Sequence, residues 1–396
     1  MPALQILLLI AIIILVAKLS GLVVSRIGQP AVLGELLAGL ILGPTLLDMF
    51  HWPIFAGAHL EETVFHLAEL GVIFLMFVAG LEVDLESMLQ VDRAAVYAGV
   101  LGVLIPLLFS AGTGLLFGFD LTRSMFLGII LAATSVSISA QTLMELGVLR
   151  SREGLTLLGA AIIDDLLVIL VLSLFVALTA GGAVSLAVLG WIVARMILFL
   201  IGAVAVGVWL LPRAARWVGE QPISEGVLSF AVVVTLTAAW AAEALGGIAT
   251  ITGAFLAGVF FRRTYLYHTI EEGVHKLTYA FLVPIFFVSI GLEADARALG
   301  LDLLPFVLVI LVVAVLSKIA GSGLGALLGG FDRQQALRTG IGMVSRGEVG
   351  LIVATVGVTQ GIISDEIFSV VVIVVLVTTL ATPLMLRSTF KQEEEV

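Results

Sequence analysis

Between Leu157 and Leu170 the chain reads Leu-Leu-Gly-Ala-Ala-Ile-Ile-Asp-Asp-Leu-Leu-Val-Ile-Leu. Asp164 and Asp165 stand side by side near the middle of an apolar stretch suited to a bilayer. A charge at the bilayer centre costs at least ~2.5–3.5 kcal/mol on insertion scales, so each one needs a reason. Neighbours on a helix point about 100° apart, so the two carboxylates can face different partners. One polar residue would serve as glue between helices, and two acids are far more costly. A carboxylate so placed can exchange a proton near neutral pH. Ionised, it is a hard oxygen ligand for a small cation.

The rest of the chain supplies the membrane. Of 396 residues, 61% are hydrophobic and only 12% charged, about half the ~25% of a soluble domain. With a mean hydropathy of +1.22, a soluble enzyme and a disordered chain are both excluded. Apolar runs of about 20 residues recur along the whole length, which predicts an all-α polytopic membrane protein. A transmembrane barrel needs alternating segments of about ten residues, and none are found. With no cysteine, disulfides and thiolate chemistry drop out. Five scattered histidines leave little room for a zinc site, and no cofactor is expected. Nucleic acid is an unsuitable partner for a net charge of −10. Much of that acidity lies in loops and the Glu393-Glu394-Glu395 tail. The first helix lacks an early basic cluster and a small-residue cleavage pattern, so it reads as a retained span.

Hydropathy predicts thirteen transmembrane helices, near 3–24, 31–47, 64–81, 94–118, 124–147, 153–179, 184–211, 224–245, 248–261, 278–292, 303–329, 336–360 and 364–386. Residues 1–396 then form a single transmembrane unit with no soluble domain. The positive-inside rule orients it. With the N-terminus outside, 13 of the 19 basic residues fall inside, among them Arg93, Arg150, Arg152, Arg213, Arg216, Arg262, Arg263 and Arg333. The outside connections hold only Arg123 and Arg297.

The sequence also repeats itself. Gly80-Leu81-Glu82-Val83-Asp84 ends the third span, and Gly291-Leu292-Glu293-Ala294-Asp295 ends the tenth. Gly34 to Gly39 in the second span matches Gly253 to Gly258 in the ninth. Both pairs are seven spans apart, an odd number, so the copies run in opposite directions. An inverted repeat over about 1–180 and 224–387 follows, with a linker helix at about 184–211. Secondary transporters use this plan and place the substrate site at mid-membrane, between discontinuous helices.

Two spans carry interruptions at corresponding places. The fifth holds Thr134-Ser135-Val136-Ser137-Ile138-Ser139-Ala140-Gln141, which either lines a cavity and leaves helix geometry or makes ordinary back-bonds within a helix. Its repeat mate, the twelfth, holds Ser345-Arg346-Gly347-Glu348-Val349-Gly350, where two glycines flank charges in mid-membrane. Arg346 and Glu348 suit neutralisation of exposed half-helix ends better than ion ligation. Lys318 lies too deep in the eleventh span to snorkel and calls for a carboxylate partner. Lys18 is near enough to the inner face to snorkel. For Arg195, an interface or lipid contact is favoured over the transport path. Gly321, Ser322, Gly323 and Gly325 suit close helix packing. His51, His59 and His66 read as surface residues near the outer face.

In order and spacing, these motifs resemble bacterial Na+/H+ antiporters of the monovalent cation:proton antiporter superfamily, in particular the NapA-like members of its second branch. The carriers are Gly28-Gln29-Pro30 through Gly43-Pro44, Ala133-Thr134-Ser135-Val136, Ile163-Asp164-Asp165, Pro284-Ile285-Phe286-Phe287, Ser317-Lys318 and Arg346 through Val353. The resemblance implies thirteen helices with two crossed discontinuous ones, a core and a dimerisation domain, elevator-type alternating access and a homodimer. It implies Asp165 as the ion- and proton-binding carboxylate and so the Na+ site, with Asp164 as the partner of Lys318. It further implies Thr134 and Ser135 as oxygen ligands and Arg346 and Glu348 as stabilisers of the crossing. The transported ions would be Na+ (or Li+) and H+, exchanged across a bacterial or archaeal cytoplasmic membrane. Relatives devoted to K+ often carry a nucleotide-binding domain and Gln-Asp in place of Asp-Asp, and this chain shows neither. K+/H+ exchange and electroneutral Na+/H+ exchange stand as alternatives on the same fold, with a cation channel as a remote one.

Overall fold

A computed structural model of the chain describes residues 2–27, 29–55, 60–82, 92–179, 186–293 and 301–390. Gly28, His59, Asp84, Ala183, Asp295, Arg297, Lys391 and the acidic tail lie outside the described residues, as does the side chain of Glu348.

Ten helices among the described residues are long and apolar enough to cross a membrane. Seven are α1 (Pro2–Arg26), α3 (Leu60–Glu82), α4 (Asp92–Leu116), α7 (Arg152–Thr179), α10 (Gly226–Ala241, continued by a π turn at Ala242–Gly246), α14 (Leu304–Leu328) and α17 (Asp365–Phe390). The other three are composite. The first joins α5 (Leu121–Ala132) to α6 (Val136–Glu145) across a short non-helical link. The second joins α8 (Leu186–Ala205) to α9 (Leu211–Gly219), and the third joins α12 (Tyr267–Leu277) to α13 (Val283–Leu292). In these two the joints are π turns, Val206–Leu210 and Thr278–Leu282. Each is followed by a proline, Pro212 or Pro284, within the first turn of the next helix. A proline there withdraws a backbone donor and favours an irregular turn just before it. Shorter helices are α2 (Ala31–Leu42), α11 (Thr250–Phe261), α15 (Arg333–Gly342) and α16 (Glu348–Thr359).

The π joints explain two differences from the hydropathy reading. The seventh span runs on to Gly219 and the tenth begins at Tyr267. Both extensions are polar amphipathic turns, which a hydropathy window discards although the helix continues.

Glycines decide how the helices meet. Gly39 of α2 faces the backbone of Val288 and Gly291 in α13, while Gly258 of α11 faces Phe77 and Gly80 in α3. Gly34 of α2 rests on the Ser20 carbonyl of α1, and Gly253 of α11 on the Ala238 carbonyl of α10. Gly321 and Gly325 of α14 let the α4 backbone approach at Leu101 and Tyr97. Small residues permit this closeness in a lipid environment, where packing rather than the hydrophobic effect joins helices.

Besides a large central cluster that includes Leu36, Leu75, Val136, Leu158 and Phe255, two further ones follow from these contacts. One draws its buried apolar residues from α4, α5, α7, α14, α16 and α17, including Phe126, Val168, Ile310 and Val371. The other draws on α3 and on the α9 to α12 segment, including Phe77, Ala215, Phe261 and Ile270.

Candidate ion-binding site at the helix interruptions

The interruptions between α5 and α6 and between α15 and α16 are the source of the site. Ala133 and Ser135 adopt extended backbone, so the helix lapses over Ala133–Ser135 and restarts at Val136. Gly342 ends α15, and Gly347, also extended, precedes α16. The freed backbone groups pair across the gap. Ser135 N–H donates to the Ser345 carbonyl at 2.9 Å, and Ser345 Oγ donates to the Ser135 carbonyl at 2.6 Å. Ser139 Oγ donates to the Gly342 carbonyl at 2.5 Å. Serines thus give the broken backbone the partners that lipid cannot. Gly347 is needed here, because a Cβ would stand 2.6 Å from that of Ser135.

Asp164 faces this junction from α7 and Lys318 from α14, and both side chains are fully buried. Lys318 Nζ spends its three donors on Asp164 Oδ1 at 2.6 Å, the Gly102 carbonyl at 2.7 Å and the Ala132 carbonyl at 2.7 Å. The other Asp164 oxygen, Oδ2, accepts the Thr134 N–H at 3.1 Å. Arg346 is equally buried. It donates to the Met343 carbonyl at 3.3 Å and to the Ala314 carbonyl at 3.1 Å. A buried cation therefore meets the carbonyl end of each broken helix: Lys318 at α5 and Arg346 just past α15. Those ends carry the negative pole of the helix dipole, so the cations suit them.

Asp165, one residue on, turns away from Lys318. It lines a small cavity of about 10 Å³ with Met76 of α3, Val136 and Leu158, and with Ile251, Thr252 and Phe255 of α11. The two carboxylates thus occupy different surroundings, one in a saturated ion pair and one in a small, largely apolar cavity between α7, α6, α3 and α11. Among the oxygen candidates, Thr134 Oγ1 is buried with no hydrogen-bond partner. The Ser135 hydroxyl already pairs with Ser137 Oγ at 2.9 Å.

Several polar contacts escaped the sequence reading. Lys18, its side chain about half exposed, pairs with Glu35 of α2 at 2.8 Å. Glu145, at the end of α6, accepts the Ala31 and Val32 N–H groups at 2.6 and 3.2 Å, which caps α2. Tyr279 donates to Gln141 at 2.8 Å. Glu35 lies inside the Gly34–Gly39 repeat motif, where nothing local signals that its charge meets Lys18 of α1.

Comparison with known proteins places this arrangement. The family described as sodium/hydrogen exchanger, transmembrane, matches residues 11–392. The chain is 38% identical over 386 residues to the Na(+)/H(+)-K(+) antiporter GerN of Bacillus cereus, covering 98% of this chain and 96% of that one. It is 36% identical over 376 residues to a Na(+)/H(+) antiporter of Enterococcus hirae, covering 95% and 96%. The solved structure of the sodium proton antiporter MjNhaP1 from Methanocaldococcus jannaschii at pH 8 shares the fold, with a TM-score of 0.68 at 18% identity, covering 97% of this chain and 96% of that one. The chain belongs to the sodium/hydrogen exchanger family and is a multi-pass cation/proton antiporter of the membrane, not an enzyme.

Proposed function

We propose that the chain exchanges Na+, or Li+, for H+ at Asp165, electrogenically, with two protons moved per sodium ion. The observation that carries this reading is the division of labour between neighbouring carboxylates. Asp164 is held by Lys318 and the Thr134 N–H, while Asp165 faces a small cavity between α7, α6, α3 and α11. Asp165 binds a proton or the cation in turn. Thr134 Oγ1 supplies a second oxygen, since an orphaned buried hydroxyl costs about 1–3 kcal/mol until something binds it. Ser135 contributes less, its hydroxyl being engaged. Arg346 and Glu348 stabilise the crossing.

Asp165 alone would give one proton for each Na+. The second proton is the one shared by Asp164 and Lys318. When Asp164 turns to the cation, Lys318 loses its counter-charge, and a buried ammonium without a counter-ion is costly enough to give its proton up.

The short helices α2, α11 and α16 complete thirteen spans, with α5–α6 and α15–α16 as the crossed discontinuous pair. The glycine contacts support the inverted repeat. Contact of α2 with α13 is the repeat image of contact of α11 with α3, and α2 on α1 is the image of α11 on α10. The two clusters then correspond to a core that carries the ion past a dimerisation domain, the elevator motion, in a homodimer. The N-terminus lies outside and the C-terminus in the cytoplasm of a bacterial or archaeal cell.

A second reading, K+ as a further transported ion, is favoured by one observation: the printed name of the Bacillus cereus relative includes K+. Proton flux in proteoliposomes with Na+, Li+, K+ and Rb+ in turn tests both. Proton movement driven by Na+ and Li+ alone supports the first reading. Equal response to K+ supports the second, and flux indifferent to every cation defeats both.

A further inference from the structure

Among the described residues, the cavity beside Asp165 is lined by two polar side chains: Asp165 itself, on α7, and Thr252 of α11. Both residues are buried. The rest of the wall is apolar, with Met76, Leu158 and Phe255 among its residues. At about 10 Å³ the cavity has room for about one water molecule. A hydrated cation does not fit such a space. A cation enters it only by shedding most of its water, and it then needs protein oxygens in exchange. The carbon side chains of the wall offer none. Asp165 supplies charge and oxygen, and the Thr252 hydroxyl is the other side-chain oxygen in the lining.

The Thr252 hydroxyl is also held in place. Its neighbour Gly253 lies against the Ala238 carbonyl of α10, and Gly258 lies against the Phe77 carbonyl of α3. The Thr252 N–H donates to the Ala249 carbonyl at 3.0 Å. Threonine is β-branched and therefore stiff at its first side-chain torsion. A hydroxyl is donor and acceptor in one group, so it serves both halves of the exchange. It donates to ionised Asp165, accepts from protonated Asp165 and turns a lone pair to a cation.

Taking Asp165 as the ion site, as proposed above, we infer that Thr252 is a further ion ligand and sets a preference for Na+ and Li+ over K+. The hydroxyl repays part of the dehydration of a small ion. K+ is larger, and the close-packed wall leaves it no room.

Proton flux by the full-length protein in proteoliposomes gives apparent KM values for Na+, Li+ and K+. Thr252→Val keeps the shape and removes the oxygen. It should raise KM for Na+ and Li+ about ten-fold, the loss of one ion contact, and change the maximal rate less. Thr252→Ser keeps the oxygen, so its KM for Na+ should stay within about three-fold of wild type. Na+ should raise the thermal midpoint of the wild type more than K+ does, and Thr252→Val should lose that difference. Where Thr252→Val does not fold, Thr252→Ala makes the same comparison against Thr252→Ser. Wild-type KM values in Thr252→Val, with flux abolished in Asp165→Asn, would overturn the inference and leave Asp165 in place. Equal losses in Thr252→Val and Thr252→Ser would assign Thr252 to packing and overturn it too. So would a wild type that takes K+ as readily as Na+. Flux surviving in Asp165→Asn would overturn the ion site, and this inference with it.

Discussion

Lys318 Nζ stands 2.6 Å from Asp164 Oδ1, with both side chains sealed from solvent. No second acidic group is needed to satisfy this lysine, because two backbone carbonyls take its remaining protons. One of them, from Ala132, is the last residue of α5 before the break. The ion pair is thereby tied to the interruption, and a change at either reaches the other.

Removing one partner of a buried pair costs about 3–5 kcal/mol, because the other charge is left uncompensated. Lys318→Gln should therefore melt at a lower temperature than the Asp164→Asn/Lys318→Gln double variant, which buries no orphan charge. Thermal unfolding of the purified variants measures this. A double variant no more stable than the single would show that the pair is not coupled as the geometry requires.

Lys318 also carries the second proton in the proposed scheme. In proteoliposomes, Na+-driven proton movement by the wild type should respond to a potassium–valinomycin potential, worth ~2.3 kcal/mol per charge per 100 mV. Lys318→Gln should lose most of that response, with exchange slowed or electroneutral. Wild-type exchange blind to the potential would refute the two-proton scheme and leave Asp164–Lys318 a structural pair.

Asp165→Asn should reduce Na+-dependent proton flux to background while the protein still inserts and unfolds cooperatively. The amide keeps the shape but neither exchanges a proton in the physiological range nor neutralises a cation. Substantial flux through the purified variant would move the ion site elsewhere.

Gly347→Ala sets a methyl group 2.6 Å from the Ser135 Cβ. Transport should fall at least ten-fold, with some loss of stability as the two backbones part. Ser135→Gly in the same chain removes the obstructing atom and should restore part of the activity. Rescue failing while both single variants remain folded would mean that the approach of the two breaks is not what transport depends on.

Orientation is open to labelling, because the sequence has no cysteine of its own. Cysteines at Ala183 and Asp302 should react with an impermeant maleimide added outside, and those at Arg152 and Gln335 should not. The reverse pattern would invert the proposed topology.

Much of this protein follows from sequence alone. Transfer of apolar groups from water to lipid is a local, additive property, so most spans stand out in a window of twenty residues. Acids in such a window are conspicuous for the same reason. The glycines around Arg346 announce a break, since charge and glycine together defeat a helix in lipid. Other features depend on the phase and tilt of whole helices, which no window contains. Nothing local says that Asp164 rather than Asp165 meets Lys318: the two differ by about 100° of helix rotation, and the packing of α7 on α4 and α5 sets that rotation. The π joints at Val206–Leu210 and Thr278–Leu282 lengthen helices across polar turns that hydropathy alone cuts off. Glu145 capping α2 from 113 residues or more away, Lys18 on Glu35 and the cavity that Asp165 shares with Thr252 arise only when distant helices close on one another. Pairing of buried polar groups is a long-range contact problem, and tertiary structure decided it.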